Sequence, residues 1–486
     1  MGADRDTTRP KYLGATLFLA CLAQFMVILD VSVVNVALPA IRAGLHFSEQ
    51  DLQWVVNAYT VTFAGFLLLG GRAADLLGRR RVFVSGLVLF ALASLAGGLA
   101  NSQLALIVAR AVQGLGGAVI APASLSILTS TFEEGPARNR AVGIWGAMGG
   151  IGGATGVLLG GVITDVLSWR WILFINLPIG LLAALASQRF VAEGRNPERG
   201  MSFDLMGAIT ATLGLSVLVL GIVRTDVTGW GAAQTLGLLA AGLVLLAIFV
   251  GIEGRFARHP LMPLRIYASR TLTAANLVVL LLGGATFGMW FFLSLYLQQV
   301  LGYSPLKAGF SFLPMTLCIV AGSVIASRAV SKVGVKTLLV AGMTAETAGL
   351  LLFTGLSAHG GYVGDVLAAS LLSAIGIGLS FVPATISAVA GVDRREAGLA
   401  SGLVNTSRLV GGALGLAILA ALAAARTSTD LHHAQSAHAA LTGGFDLAFV
   451  VAAGFAALGG LIALFGLPRV RPPRPAHAAS PVAAEA

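Results

Sequence analysis

The chain has 486 residues; 57% are hydrophobic, only 11% are charged, and the formal net charge is +10 with a mean hydropathy of +0.88. Soluble domains carry roughly 25% charged residues, and a globule of this length cannot hide so much apolar side chain. The composition excludes a soluble enzyme, a disordered chain and, despite the positive charge, a nucleic-acid binder. It describes an all-α, polytopic membrane protein. The 62 glycines suit membrane helices that pack through small residues. The two cysteines, Cys21 and Cys318, both lie in apolar runs and give no disulfide or metal framework. No cofactor is called for. With 27 arginines against four lysines, the codon usage reads as that of a high-GC bacterial genome.

A membrane-crossing helix needs about 20 mostly apolar residues, and fourteen such stretches follow one another. They cover 13–38, 51–71, 82–100, 104–130, 141–163, 170–189, 205–224, 234–252, 272–299, 307–327, 336–356, 363–390, 398–424 and 445–467. With the N-terminus placed in the cytoplasm, 24 Lys and Arg side chains fall in inner segments and five (Arg42, Arg170, Arg224, Lys307 and Arg426) in outer ones. This is a positive-inside bias, and removing any one span would reverse every later loop and destroy it. Both termini are therefore expected in the cytoplasm. The first apolar run is too long for a signal peptide and lacks a small-residue cleavage site. The segment from Pro468, rich in Pro, Ala and Arg, reads as a disordered tail. The segment 425–444, with His432, His433 and His438, reads as a solvated outer loop rather than a metal site.

An internal repeat sets the architecture. Residues 72–86, RAADLLGRRRVFVSG, align with 328–342, RAVSKVGVKTLLVAG, at an offset of 256. Pro122-Ala-Ser-Leu-Ser matches Pro383-Ala-Thr-Ile-Ser at an offset of 261. Spans 1–6 and 9–14 are then homologous halves, and spans 7 and 8 are an insert. The expected organisation is an N-terminal segment 1–12, a six-helix half 13–190, a two-helix insert with flanking loops 191–270, a second six-helix half 271–467 and the tail 468–486. Parallel six-helix halves around a central cavity are a transporter layout.

Motifs then carry a family likeness. Residues 71–81, GRAADLLGRRR, resemble the signature between spans 2 and 3 of the major facilitator superfamily, with Gly71, Asp75, Gly78, Arg79 and Arg80 in its fixed positions. LDVSVVNVALP at 29–39, SWRWILFINLPIG at 168–180 and GYSPLKAGFSFLP at 302–314 are similar to motifs of its fourteen-span drug/proton antiporter branch. So are VARAVQGLGGAVIAP at 108–122 and SGLVNTSRLVGGALG at 401–415. The resemblance implies the major facilitator fold with fourteen transmembrane helices, six plus two plus six. One departure lies in span 5, where Gly156-Val157-Leu158-Leu159-Gly160-Gly161 lacks the motif's proline. Close contact through Gly146, Gly149, Gly150, Gly152, Gly153 and Gly156 is expected to survive, whereas the bend that proline gives a helix is not assured. Gly150-Ile151-Gly152 has no strand before it and does not read as a nucleotide loop. A GxxxxGK[ST] sequence is absent, so nothing in the sequence indicates an ATP-driven pump.

Charges inside spans are costly, about 2.5–3.5 kcal/mol each at the bilayer centre on insertion scales, and each is a candidate site. Asp30 in span 1 is the candidate proton carrier. Arg110 in span 4 is its expected partner, since the resemblance links the fourth-span arginine to proton coupling. A purely structural Asp–Arg pair is the competing reading. Asn35, about a turn and a half beyond Asp30, is a candidate to add a hydrogen bond near the same cavity and, with Glu346 and Arg408, a candidate substrate or second proton site. Glu346 in span 11 aligns with Phe90 and is a candidate for a cationic substrate or a second proton; a neutral acid at a helix contact is its alternative. Arg408 in span 13 is a candidate for an anionic substrate group or for a neighbouring carbonyl. Gly71, Asp75, Gly78, Arg79 and Arg80 are read as a conformational latch, asymmetric because the matching position in the second half is Ser331. Trp54, Phe63, Trp145, Trp290, Phe291 and Phe292 are read mainly as packing or interface aromatics, with cavity lining as the other reading.

The resemblance implies a proton-coupled secondary exporter of amphipathic small molecules, an antibiotic or drug efflux protein, acting without a cofactor as a monomer in the bacterial cell membrane. Its partners would be a small-molecule drug, protons and membrane lipids. A proton-coupled importer of a nutrient or siderophore on the same fold is the alternative.

Overall fold

The structure, a computed structural model, describes residues 12–133, 136–193, 204–256, 260, 262, 264–389, 397–433 and 436–468. Most of the N-terminal segment, the tail beyond Pro468 and the basic residues Arg195, Arg199, Arg258, Arg394 and Arg395 lie outside these, as does the side chain of Asp75.

Fourteen helices among the described residues are long and apolar enough to cross a membrane. They are α1 (Leu13–Leu45), α2 (Trp54–Ala74), α3 (Arg79–Gly98), α4 (Gln103–Thr131), α5 (Arg140–Val166), α6 (Trp171–Phe190) and α7 (Leu205–Thr225). The series continues with α8 (Ala233–Phe256), α9 (Arg270–Val300), α10 (Pro305–Val333), α11 (Val335–Gly355), α12 (Tyr362–Ser387), α13 (Gly402–His432) and α14 (Ala437–Gly466). Each falls on an expected span, and the described residues contain no strand.

Several starts have plain local causes. Ser102, Ser269, Ser304 and Ser436 each accept a hydrogen bond from a first-turn backbone N–H, which satisfies a donor that has no partner within the helix. Pro305 follows Ser304 at the first helical position, where its missing N–H costs nothing. The segment 425–444 differs from the expected loop. Helix α13 runs on to His432 and α14 begins at Ala437. Apolarity ends near residue 424, but the alanine-rich chain keeps its helix propensity, and Arg426 pairs with Asp430 one turn later at 3.0 Å. Hydropathy reports where lipid ends, not where a helix does.

Helices α1 and α3–α6 pack with α2 as one bundle, through α2 on α4, α1 on α5 and α3 on α4 and α6. Helices α9–α14 form a second, through α9 on α13 and α14, α11 on α12 and α10 on α12. Helix α7 rests on α8, α2 and α13, whereas α8 leaves most of its surface outward. The repeat is visible in the backbone. Gly78 (φ 106°) joins α2 to α3 and Gly334 (φ 88°) joins α10 to α11, at matching places and both in a region that favours glycine. Pro122 and Pro383 sit inside α4 and α12.

Helix α5 continues through Val157, which is buried. Its small residues pack on α1 from Gly152 onward, through Gly156 and Gly160, while Gly146 and Gly149 have no neighbour within 4 Å of a built Cβ. The close face is therefore nearer the C-terminal end of α5 than the glycine pattern suggests. Gly161 lies against the Pro305 carbonyl of α10, and Gly309 of α10 lies over the Val157 carbonyl, so this end of α5 joins the two bundles.

Candidate functional site

The most polar buried point in the first bundle is built around Asp30. Helix α1 is apolar on every side of it, with Met26, Val27, Val33 and Val34 all buried, and Asp30 itself is 0% exposed. Arg110 and Gln113 lie three residues apart on α4 and so share a face. Arg110 Nη1 donates to Asp30 Oδ2 at 2.5 Å and to Gln113 Oε1 at 2.7 Å. Gln113 Nε2 donates to Asp30 Oδ1 at 2.7 Å, and Asn176 Nδ2 of α6 donates to the same oxygen at 2.9 Å. Ser94 of α3 accepts from both amides at 3.1 Å and donates to the Leu173 carbonyl at 2.8 Å.

The rest of the guanidinium is also satisfied. Arg110 Nε donates to the Val55 carbonyl of α2 at 3.1 Å, and its carbon stands 4.5 Å from the centroid of the Tyr59 ring. Tyr59 is held close by the glycines of α4: a Cβ added at Gly117 would sit 2.9 Å from its hydroxyl. Helices α4 and α6 thus place donors on the carboxylate of α1, while α3 and α2 brace those donors. A buried ion pair is tolerable only when its remaining lone pairs and protons are bonded, and here both carboxylate oxygens accept from N–H donors. An ionised carboxylate accepts only, whereas a protonated one must donate. Oδ2 accepts one bond, from Arg110, and keeps a second lone pair on which a proton could sit. A proton there would cancel the charge that faces Arg110 and leave that bond with a neutral, weaker acceptor.

The sequence paired Asp30 with Arg110, and the structure brings them together. It also adds Gln113, Asn176, Ser94 and Tyr59. Two of these had a readable signal: Gln113 is three residues beyond Arg110, and Asn176 is the one amide in the apolar run WILFINLPIG. Asn35 is not part of the cluster. Its Nδ2 donates to the Val31 carbonyl at 3.0 Å, and its own carbonyl accepts from Ser294 of α9 at 2.7 Å. Next to it, Gln298 donates to the Val36 carbonyl at 2.8 Å, and Arg42 donates to Gln299 at 3.0 Å. A π-helical turn, Tyr296–Val300, presents both glutamines to α1. These bonds fasten the two bundles at the C-terminal end of α1.

Glu346 lies inside the second bundle, apart from Asp30. It is 0% exposed; Thr286 of α9 donates to its Oε1 at 3.3 Å, and Oε2 has no partner. Arg408 of α13 donates through Nε and Nη2 to Asn405 Oδ1 at 3.3 and 3.0 Å. In the loop signature, Gly78 makes the turn, but the tight contact falls at Gly70, against the Ala118 carbonyl; a Cβ at Gly71 would be 3.5 Å from Pro122. Arg80 and Arg81 meet Glu193, beyond α6, at 3.4 and 3.6 Å, and Arg80 also donates to the Gln188 and Val191 carbonyls. Glu193 had not been singled out. Those contacts stay within the first bundle, while Arg72 reaches the Pro260 carbonyl at 3.1 Å. Two other carboxylates escaped the sequence reading: Glu253, buried near the end of α8, accepts from the Met262 N–H at 2.9 Å, and Asp446 lies well inside α14 because that helix begins at Ala437. Phe291 and Phe292 are core residues packed with Phe445 and Phe449, and Trp290 stacks on Phe312 at 4.9 Å.

Comparison with known proteins gives consistent results. The model of the Major Facilitator Superfamily matches residues 20–416 and 278–484. A cephamycin export protein of Amycolatopsis lactamdurans is 44% identical over 431 residues, covering 88% of this chain and 89% of the relative. A puromycin resistance protein of Streptomyces alboniger is 39% identical, covering 92% and 88%. Among solved structures, a bacterial homolog of the human lysosomal transporter Spinster superposes with a TM-score of 0.69 at 15% identity, covering 94% of this chain and 97% of that one.

Proposed function

We propose that this chain, which belongs to the Major Facilitator Superfamily, is a proton-coupled exporter of amphipathic small molecules, an antibiotic or drug efflux protein rather than an enzyme. Export and resistance are the activities named for its relatives. The observation that carries the proton step is the buried Asp30 carboxylate, whose bond to Arg110 is charge-assisted only while Asp30 is ionised. When Asp30 is ionised, Arg110 ties α1 to α4. When it takes a proton, that tie weakens, and α1 also carries the hydrogen bonds that close the two bundles together from Asn35 onward. A drug that favours one of the two states shifts the population toward it.

One proton entering through 100 mV releases about 2.3 kcal/mol, which sustains a concentration gradient without ATP. In this reading the chain acts as a monomer in the cell membrane, with both termini in the cytoplasm and lipid around it. Glu346 is the candidate second proton site, since it is buried with a single hydrogen-bond partner and no cation, and a proton would remove its uncompensated charge. Gly71, Asp75, Gly78, Arg79 and Arg80 form the cytoplasmic latch, which turns on Gly78 and rests on Glu193. The test is directional. Everted vesicles with an acidified lumen should accumulate drug; accumulation only under the opposite gradient would make the protein an importer.

A further inference from the structure

Arg408 is the second arginine within the spans, and its surroundings differ from those of Arg110. Arg110 has a carboxylate, two carbonyl oxygens and an aromatic ring. Arg408 has one neutral oxygen, that of Asn405 one turn earlier on its own helix, and Nε and Nη2 share it. Among the described residues no carboxylate lies within salt-bridge distance of it. Its backbone is pinned, since α9 passes at Gly283 so closely that any Cβ there would overlap the Arg408 carbonyl. The guanidinium stands 6.0 Å from the ring centroid of Phe381 on α12, and that ring is 39% exposed.

On the facing helix, α2, Tyr59 is 1% exposed and its hydroxyl has no hydrogen-bond partner. Its ring belongs to the same buried cluster as Leu409, the neighbour of Arg408 on α13. Helices α2 and α13 pack against each other and come from different bundles. A half-buried cation without an anion and a buried O–H donor without an acceptor both lack the same kind of partner. Each costs free energy while it stays unmet.

We propose that Arg408 and Tyr59 receive the acidic group of an amphipathic substrate, a carboxylate or a similar organic anion, whose apolar body rests on Phe381. The guanidinium fork donates to one or both anion oxygens, the geometry in which arginine binds carboxylates best. The Tyr59 hydroxyl donates to the same group. Because the donors come from both bundles, an anion between them favours the state in which α2 and α13 lie together. The inference deepens the exporter reading and rests on it for the word substrate.

The test is binding to purified protein in detergent, which requires no transport. The probes are a dansyl-labelled long-chain carboxylic acid and its methyl ester, which share a body and differ in charge. Wild-type protein should bind the acid about tenfold more tightly than the ester, the least expected for a hydrogen bond to a charged group. Arg408→Gln should weaken acid binding by about tenfold and ester binding by less than about twofold. Arg408→Lys should fall between wild type and Arg408→Gln, since it keeps the charge but loses the fork. Tyr59→Phe should weaken the acid alone, by about threefold, the size of a modest hydrogen bond. Equal binding of acid and ester by wild-type protein overturns the proposal, and that result needs no variant to fold. A loss shared equally by acid and ester in Arg408→Gln overturns it as well. If everted vesicles fail to accumulate drug while the acid preference persists, the exporter reading falls and the anion site stands.

Discussion

Replacing Asp30 by asparagine keeps the shape of the side chain and removes its charge. Three N–H donors now converge on the carboxylate, from Arg110 at 2.5 Å, Gln113 at 2.7 Å and Asn176 at 2.9 Å. A carboxamide offers one acceptor oxygen, and its NH2 turns toward a donor, so at least one of these bonds is lost. Breaking one side of a buried ion pair costs about 3–5 kcal/mol because the other charge is left uncompensated. Arg110 keeps the Val55 carbonyl, the Gln113 oxygen and the Tyr59 ring, so the cost should lie at the lower end, near 3 kcal/mol. The double variant Asp30→Asn/Arg110→Gln removes the orphaned cation and should recover most of that loss. Equilibrium unfolding in mixed micelles measures both, and the cycle isolates the pair. In reconstituted vesicles, Asp30→Asn should abolish accumulation driven by a pH gradient yet retain substrate exchange at zero gradient. Undiminished proton-driven accumulation in Asp30→Asn would refute the assignment of Asp30 as the proton carrier, whatever the stability data show.

Other predictions concern the shell and the frame. Asn176→Ala removes a donor to Asp30 and a partner of Ser94, and should cost about 1–3 kcal/mol in the same unfolding assay. Gly78→Ala and Gly334→Ala each force a side chain into backbone that glycine tolerates best and should each lower stability by about 1–3 kcal/mol, with similar effects at the two sites because the repeat uses them alike. Glu346→Gln should change stability by less than about 1 kcal/mol, since the amide keeps an acceptor for Thr286. If Glu346 is the second proton site, the protons moved per drug will fall in that variant; an unchanged ratio removes it from the transport cycle.

The span count, the loop repeat and the Asp30–Arg110 pair were legible because each rests on a strong local signal. Twenty apolar residues have few alternatives, Gly78 and Gly334 stand in matching sequences, and a charge inside an apolar run demands a partner. The remainder of the site was less legible. Ser94, Gln113 and Asn176 are ordinary polar residues in helices, and only the packing of α3, α4 and α6 around α1 brings them to one carboxylate. The contacts between the bundles formed by Gln298 and Gln299 depend on a π-helical turn that no residue pattern announced. The boundaries of α13 and α14 went astray because apolarity ends before helicity does, and Asp446 therefore stood at the edge of the expected span 445–467 rather than well inside a helix. Glu193 escaped because it lies beyond the helix end that its arginine partners do not share.

Drug movement into everted membrane vesicles, driven only by an acid lumen, is the most direct measure of proton-coupled export. Wild-type vesicles should concentrate drug inside, lose it when nigericin collapses the gradient, and show neither effect when Asp30→Asn replaces the wild type. Accumulation that ignores the gradient, or that proceeds equally well in Asp30→Asn, would contradict the account.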